Sequence, residues 1–182
     1  MTHKRITAMT EIALMAAVIC ILSPFSLSIP VSPVAITLGS FAVYLTAAIL
    51  GWKRGTLSVL LYLFIGAVGV PVFSGFSAGV AKLAGPTGGY LIGYLPCAFL
   101  IGYLVERLAK KWMVPLAMVL GTAVLYLLGT LWLMYSAGFP SFAAACAAGV
   151  VPYLPFDAVK IVLATAVSIP IRSLLKKSGF LE

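Results

Sequence analysis

Charged residues are scarce in this sequence. Only 9% of its 182 residues are Asp, Glu, Lys or Arg, whereas 63% are hydrophobic. Soluble domains carry about 25% charged residues, because their surfaces must stay hydrated. The shortage therefore excludes a water-soluble fold, and the hydrophobic content excludes a disordered chain. It also excludes a basic nucleic-acid-binding protein, because such proteins cluster Lys and Arg on a polar face.

Histidine and cysteine are equally scarce. His3 is the only histidine and lies in the N-terminal tail, which excludes a Ser–His pair and a histidine metal cluster. Cys20, Cys97 and Cys146 are widely spaced in apolar segments without the CxxC spacing of a metal site, so we interpret them as small buried hydrophobic residues. No GxxxxGK(S/T) motif is present for ATP hydrolysis through a P-loop. We expect no cofactor and no enzymatic activity.

Long uninterrupted hydrophobic runs are what the sequence has instead. They predict membrane-spanning helices, because a helix needs about 20 apolar residues to cross a bilayer, whereas barrel strands alternate in polarity. At about 30 residues per helix and connection, the chain holds six spans in one membrane-embedded domain, 1–182. We place these helices at about 6–24, 34–51, 56–70, 86–108, 113–136 and 155–175. A short re-entrant helix within 72–85 and a short outer helix within 139–150 complete the prediction.

The twelve Lys and Arg residues are unevenly distributed over the predicted spans. With six spans and a cytoplasmic N-terminus, most of them fall on the cytoplasmic side, as the positive-inside rule requires. This group comprises Lys4, Arg5, Lys53, Arg54, Arg107, Lys110, Lys111, Arg172, Lys176 and Lys177. Only Lys82 and Lys160 fall on the outer side. We therefore predict that both termini are cytoplasmic.

Three charges fall toward the outer half: Lys82, Asp157 and Lys160. The candidate site consists of Asp157 and Lys160. They lie three residues apart at the start of the last predicted helix and so share one face. A charge in the apolar zone costs about 2.5–3.5 kcal/mol on insertion scales, which makes such residues candidates for function. Either the two residues pair near the membrane interface, or they form one wall of a small polar pocket that opens outward. One Asp without a His supplies little acid–base chemistry, so binding fits this site better than catalysis.

A glycine-rich segment at 85–90 precedes the fourth predicted span. Its glycines continue at four-residue spacing into that span, which lets neighbouring helices approach closely in lipid. Gly88 and Gly89 also expose backbone N–H groups at a helix start, where a polar ligand can bind. Thr87 and Tyr90 add a hydroxyl and an aromatic ring to the same segment.

Ala13 and Ala17 lie four residues apart on the first predicted helix. Alanine is common in any membrane helix, so the pair fits an ordinary lipid-facing surface. It also fits a flat strip on which a second membrane protein can pack.

Three motifs together extend this interpretation. The runs GVPVFSGF at 69–76, GPTGGYLIGY at 85–94 and PFDAVK at 155–160 resemble the BioY family, the biotin-binding S components of energy-coupling factor (ECF) transporters. The resemblance covers nearly the whole chain, including its size and its six spans. It implies an all-α integral membrane protein of a prokaryotic cell membrane that captures biotin in an outward-facing pocket.

The resemblance also implies partners. These are an ECF transmembrane coupling protein, two cytoplasmic ATPase subunits and the lipid bilayer, although some family members are reported to act alone. Ala13 and Ala17 are similar to the AxxxA motif that S components present to the coupling protein. Any ATP hydrolysis is then expected in the partner subunits.

Biotin offers two ureido N–H donors, a ureido carbonyl, an apolar sulfur ring and a carboxylate tail. We hypothesise that Asp157 accepts from the ureido N–H groups, and that Lys160 either pairs with the carboxylate or keeps Asp157 ionised. The other candidate contacts are aromatic walls, hydroxyl donors and backbone positions around the pocket. They are Phe73, Phe76 and Tyr90, then Ser77 and Thr87, and finally Thr37, Gly88 and Gly89.

The first outer loop departs from the family pattern Pro-Val-Pro-x-Thr-Leu-Gln. Ala35 and Gly39 stand where that pattern has its second proline and its glutamine, and Phe156 replaces a glycine before Asp157. Because these changes touch the pocket rim, an S component for another small vitamin-like ligand is the first alternative. A non-catalytic membrane assembly protein, whose glycines serve only packing, is the second.

Overall fold

The computed structural model describes residues 2–28, 34–108 and 110–178. Its main helices are α1 (Thr2–Leu22), α2 (Gly39–Ala67), α3 (Val80–Ala84), α4 (Gly88–Leu108), α5 (Met113–Ala137), α6 (Phe142–Gly149) and α7 (Leu154–Lys177). A 3-10 turn, Val151–Tyr153, joins α6 to α7. Strands β1 (Ser26–Ser28) and β2 (Ala35–Thr37) pair antiparallel, with Leu27 opposite Ile36.

Five helical stretches of the described chain are long and apolar enough to cross a membrane. Their long hydrophobic faces remain exposed in the isolated chain, as at Leu14, Phe64 and Val162, because lipid rather than water covers them. The predicted all-α fold is confirmed, and the chain is a multi-pass membrane protein. The small β1–β2 pair was not predicted, because its two strands are only three residues long.

Helix α2 reverses direction at Gly51. This residue has φ 79° and ψ −172°, a backbone conformation that is essentially restricted to glycine. Residues eight apart in a straight helix are separated by about 12 Å, yet a Cβ on Gly55 would lie 3.0 Å from the Ala47 Cα. The two arms of α2, 39–50 and 52–67, therefore pack side by side. With α2 counted as two arms, the fold is consistent with the predicted six spans.

One end of the bundle, which we call the basic end, gathers the turn at Gly51 with the start of α1 and the end of α4. Arg54 beside this turn donates to Glu11 of α1 across 2.6 Å. Glu106 near the end of α4 packs so closely that a Cβ on Gly51 would lie 1.6 Å from its Oε1. These contacts place the start of α1, the middle of α2 and the end of α4 together, as the charge distribution predicts.

Helix α7 also reaches the basic end. The Arg172 guanidinium donates through Nη1 to the carbonyl oxygens of Ala48 and Ile49, at 2.7 and 3.3 Å. Carbonyls in the last turn of a helix lack intrahelical partners, so Arg172 supplies hydrogen bonds to the free carbonyls at the end of the first arm of α2. That the basic end faces the cytoplasm remains a prediction.

Helices α4 and α5 interlock through glycines. A Cβ on Gly89 would lie 2.2 Å from the Trp132 Cβ, and one on Gly93 would lie 3.0 Å from a Leu125 methyl group. The predicted glycine ridge thus packs directly against α5, as expected for close helix contact in lipid. The segment 72–85 contains only the five-residue α3, and the predicted outer helix within 139–150 is α6.

Candidate functional site

A cavity of about 50 Å³ lies at the end of the bundle opposite the basic end. It is lined by β2, the first turn of α2, the start of α4, the middle of α5 and the start of α7. Many of its lining residues carry polar side chains. The polar lining residues are Ser23, Thr37, Ser40, Ser74, Thr87, Tyr90, Tyr94, Tyr126, Tyr153, Asp157 and Lys160.

Asp157 and Lys160 form an ion pair in the cavity wall. Lys160 Nζ lies 2.8 Å from Asp157 Oδ1, and the two residues are only 9% and 6% exposed. Their three-residue spacing on α7 brings them to the same face, as predicted. Each charge compensates the other at this depth, where a single ion would be strongly destabilising.

Two further residues complete the polar cluster around the pair. Lys160 Nζ donates to Ser40 Oγ at 3.0 Å, and the Ser40 hydroxyl lies 3.4 Å from Asp157 Oδ1. Tyr126 of α5 donates to Asp157 Oδ2 at 2.5 Å. Neither residue was predicted from the sequence, because a Ser at a helix start and a Tyr in an apolar span are common. Packing of α2 and α5 against α7 brings them to Asp157.

The ion pair keeps hydrogen-bonding capacity for a ligand. An ammonium group has three donors and an ionised carboxylate has about four acceptor positions. Lys160 uses two donors, on Asp157 and Ser40, and Asp157 accepts three hydrogen bonds. One donor and one acceptor of the pair therefore remain. Among the residues that the structure describes, the buried Thr87 hydroxyl in the same lining also has no partner.

Tyr90 lines the cavity. Its hydroxyl donates to the Gly149 carbonyl at 2.9 Å, and its ring fills the space above Gly129, where a Cβ would be 2.3 Å away. Because the hydroxyl is already engaged, the ring is the part of Tyr90 that can contact a ligand.

Thr37 also lines the cavity, but its hydroxyl has a structural role. It donates to the Ser23 carbonyl at 2.9 Å and accepts from the Gly39 N–H at 2.7 Å, which ties β2 to the end of α1 and to the start of α2. The Tyr153 hydroxyl similarly donates to the Val34 carbonyl beside β2. These bonds hold Val34 and β2 beside the cavity.

The structure places Phe73, Phe76 and Ser77 outside the cavity lining. Phe73 is fully buried and packs on α2, because a Cβ on Gly66 would lie 2.1 Å from its ring. Phe76 is 62% exposed and contacts Phe25 edge to face. Ser77 donates to the Ser74 carbonyl at 2.8 Å. The turn at 73–77 thus brings Ser74, rather than the three predicted residues, to the cavity.

Gly88 and Gly89 also lie outside the lining, because both serve helix packing. A Cβ on Gly88 would lie 1.7 Å from the Leu83 carbonyl oxygen, and the Gly88 N–H already donates to the Gly85 carbonyl at 2.9 Å. Gly89 is in contact with Trp132 of α5. Glycine is required at these two positions because other segments of the protein approach the backbone closely there.

Ala13 and Ala17 are exposed on the outer face of α1. Their four-residue spacing aligns them on one strip of the helix. Exposed Met9 lies one turn further toward the N-terminus on the same strip. Within the described chain this strip is uncovered, so it is accessible to lipid or to another membrane protein.

Comparison with known proteins assigns the chain to a family. The sequence model of the BioY family matches residues 1–177. The chain belongs to the BioY family. It is 39% identical to the biotin transporter BioY of Thermotoga maritima, over 81% of this chain and 86% of that protein. It is 41% identical to the probable biotin transporter BioY of Pyrococcus horikoshii, over 87% of this chain and 93% of that protein.

The structure of the chain agrees with this family assignment. The BioY-family chain matches the 2.1 Å crystal structure of the S-component for biotin from an ECF-type ABC transporter, with a TM-score of 0.87 and 28% sequence identity. The match covers 97% of this chain and 94% of the other. The resemblance seen in the sequence motifs is therefore confirmed, and so is the S-component fold.

Proposed function

We propose that this chain is the high-affinity substrate-capture subunit of an ECF-type vitamin transporter, and that its substrate is biotin. The observation that carries the proposal is the cavity around the Asp157–Lys160 ion pair, set in a BioY-family fold. The subunit binds and delivers its substrate without transforming it. ATP hydrolysis takes place in separate partner subunits.

The free hydrogen-bonding groups of the cavity match the ureido ring of biotin. The remaining acceptor of Asp157 receives a ureido N–H, and the third donor of Lys160 reaches a ligand oxygen. Lys160 also holds the Asp157 carboxylate in place through their 2.8 Å contact, which orients Asp157 for the hydrogen bond that it accepts. The Thr87 hydroxyl bonds a second polar edge, and the Tyr90 ring packs on the apolar sulfur ring.

Biotin entry requires the cavity to expand. Ligand pockets usually measure about 300–1,000 Å³, whereas this cavity measures about 50 Å³. The elements best placed to move are β2 and the turn at 73–77, because they contribute Thr37 and Ser74 to the lining and lie outside the long helices. We propose that they shift outward as biotin binds.

The partners in transport are an ECF transmembrane coupling protein and two cytoplasmic ATPase subunits. The exposed strip at Ala13 and Ala17 supports docking of the coupling protein, because small side chains let two helix backbones approach closely in lipid. The strip lies on α1, away from the cavity residues of α2, α5 and α7. Binding of biotin and docking of the partner can therefore be tested separately.

The first experiment identifies the ligand directly. The protein is purified in detergent, and mass spectrometry identifies the small molecules that it releases on denaturation. We expect biotin, and we expect heat of binding when biotin is titrated into the emptied protein. A different vitamin-like molecule would indicate an S component of other specificity. No retained molecule and no heat with biotin would contradict the proposal and favour an assembly protein.

The second experiment tests the residues. Asp157→Asn and Lys160→Ala each remove a charge from the cavity wall, so both should weaken biotin binding by at least about tenfold. Lys82→Ala is the matched control, because Lys82 is on the α3 segment and outside the cavity lining. If the two cavity variants bind biotin as the parent does, the site is assigned wrongly.

A further inference from the structure

A second cavity lies at the basic end, between the ends of α4 and α7 and the start of α5. Its volume is about 190 Å³, well above the 10–15 Å³ that one water molecule needs. Four of its lining residues are cations: Lys110, Lys111, Arg172 and Lys176. Among the described residues that line it there is no Asp or Glu. The cavity therefore concentrates positive charge and is suited to bind an anion.

Arg172 is held in position for such an anion. Its Nη1 group is engaged by the Ala48 and Ile49 carbonyls, which orients the guanidinium from inside the bundle. A guanidinium has five donors in a rigid plane, so the remaining N–H groups can bind phosphate oxygens with little loss of side-chain freedom. The Glu106 carboxylate packs against Gly51 and acts electrostatically on Arg172, but it does not line the cavity.

The cavity lining also contains three apolar residues, Val105, Val114 and Ile169. Trp112 and Leu174, which follow the lining residues Lys111 and Ser173 in the chain, are 62% and 63% exposed. Tryptophan is enriched where helices pass from the bilayer core to the headgroup region. Cationic and apolar lining residues, with an exposed Trp next to them in the chain, together match an amphiphile that bears a negative headgroup.

We infer that this basic cavity binds the phosphate headgroup of an anionic phospholipid. Basic pockets between membrane helices suit such headgroups, and each Lys or Arg near the surface adds to the attraction. A soluble phosphate would satisfy the cations but leave the apolar lining residues unused, so a lipid is the better fit. The inference requires the basic end to lie at a membrane surface, but it does not depend on the identity of the transported substrate.

The bound headgroup connects two parts of the bundle. Lys110 and Lys111 belong to the connection between α4 and α5, whereas Arg172 and Lys176 belong to α7. The negative charge of a headgroup between them offsets part of the repulsion among the four clustered cations. Anionic lipid should therefore raise the thermal stability of the protein.

The test uses the full chain in an uncharged detergent. Dioctanoyl phosphatidylglycerol is titrated in, and native mass spectrometry measures the bound fraction while thermal unfolding measures stability. Dioctanoyl phosphatidylcholine has the same chains without net charge and is the control lipid. We expect saturable binding and a raised Tm with phosphatidylglycerol only.

Neighbouring lysines supply matched variants. Lys176→Gln removes a cation of the lining and should weaken phosphatidylglycerol binding about fivefold. Lys177→Gln removes an adjacent exposed cation outside the lining and should change binding by less than twofold. A double Lys110→Gln/Lys111→Gln variant should weaken binding further. All three variants should keep the heat of biotin binding, so failure of this inference is distinguishable from failure of the proposed function.

Three results would overturn the inference. The first is equal binding of phosphatidylglycerol and phosphatidylcholine. The second is an equal loss for Lys176→Gln and Lys177→Gln, which would indicate diffuse attraction to surface charge. The third is a rise in Tm with inorganic phosphate as large as that with phosphatidylglycerol, which would assign the cavity to a soluble anion.

Discussion

The ion pair between Asp157 and Lys160 permits a test that separates stability from recognition. Three variants are needed: Asp157→Asn, Lys160→Met, and the double variant. Each replacement is close in size to the original side chain and removes one charge. The single variants leave an unpaired ion at a position that is less than 10% exposed, whereas the double variant leaves none.

The expected loss of stability follows from the distance between the two charges. Two unit charges 2.8 Å apart attract by about 6 kcal/mol at an effective dielectric constant of about 20. The desolvation of both ions offsets part of this, and loss of one partner from a buried pair typically costs about 3–5 kcal/mol. At about 2–4 °C per kcal/mol for a chain of this size, each single variant should lower Tm by about 6–20 °C. The double variant should recover most of that loss.

The assay is thermal unfolding of the detergent-purified protein without biotin, because bound ligand would add its own stabilisation. Calorimetry with biotin then follows on the same samples. We expect the double variant to be stable but unable to bind biotin measurably. If instead its loss of Tm equals the sum of the two single losses, the charges are not coupled and the reasoning is refuted. Lys82→Met serves as the control for loss of a cation outside the cavity.

Three other substitutions test separate parts of the structure. Tyr126→Phe should weaken biotin binding by about tenfold or more in a calorimetric titration, because it removes a hydrogen bond to a charged acceptor. Tyr135 lies on the same helix and is 87% exposed, so Tyr135→Phe should not change the binding of biotin in that titration. Gly51→Ala should prevent recovery of folded protein, because it combines a glycine-only backbone conformation with a steric clash. Gly138 also has a positive φ but has open space around it, so Gly138→Ala should lower the free energy of unfolding by only about 1–2 kcal/mol. Equal yields of folded protein for the two variants would contradict the reversal of α2 at Gly51. Ala17→Leu should reduce co-purification of a co-expressed ECF coupling protein while leaving the heat of biotin binding unchanged.

Local sequence signals predict the helices well, because each depends on neighbours along the chain. Hydrophobic runs locate the spans, and the break predicted at 51–55 coincides with the reversal at Gly51. The three-residue spacing of Asp157 and Lys160 predicts for the same reason that they share one face of the helix, and the structure shows them paired there. The β1–β2 pair lacks such a signal, because pairing of two very short strands depends on tertiary contacts at the ends of the strands.

The composition of the cavity wall is less predictable. The family motifs suggest Phe73, Phe76 and Ser77, but the turn at 73–77 directs Phe73 into the core and leaves Phe76 exposed. Motifs record which residues occur together, whereas a wall depends on which side of a turn each residue occupies. Only the folded chain shows the latter.

The sequence by itself determined that this protein lies in the membrane, how its hydrophobic runs divide into helices, and where its few charges concentrate. Hydrophobicity and charge act on a segment whatever its neighbours are, so these properties need no tertiary contacts. The tertiary structure alone decided that Ser40 and Tyr126 complete the site around Asp157, and that Arg172 joins the lysines of the basic cavity. Those residues come from distant parts of the chain, and helix packing sets their distances.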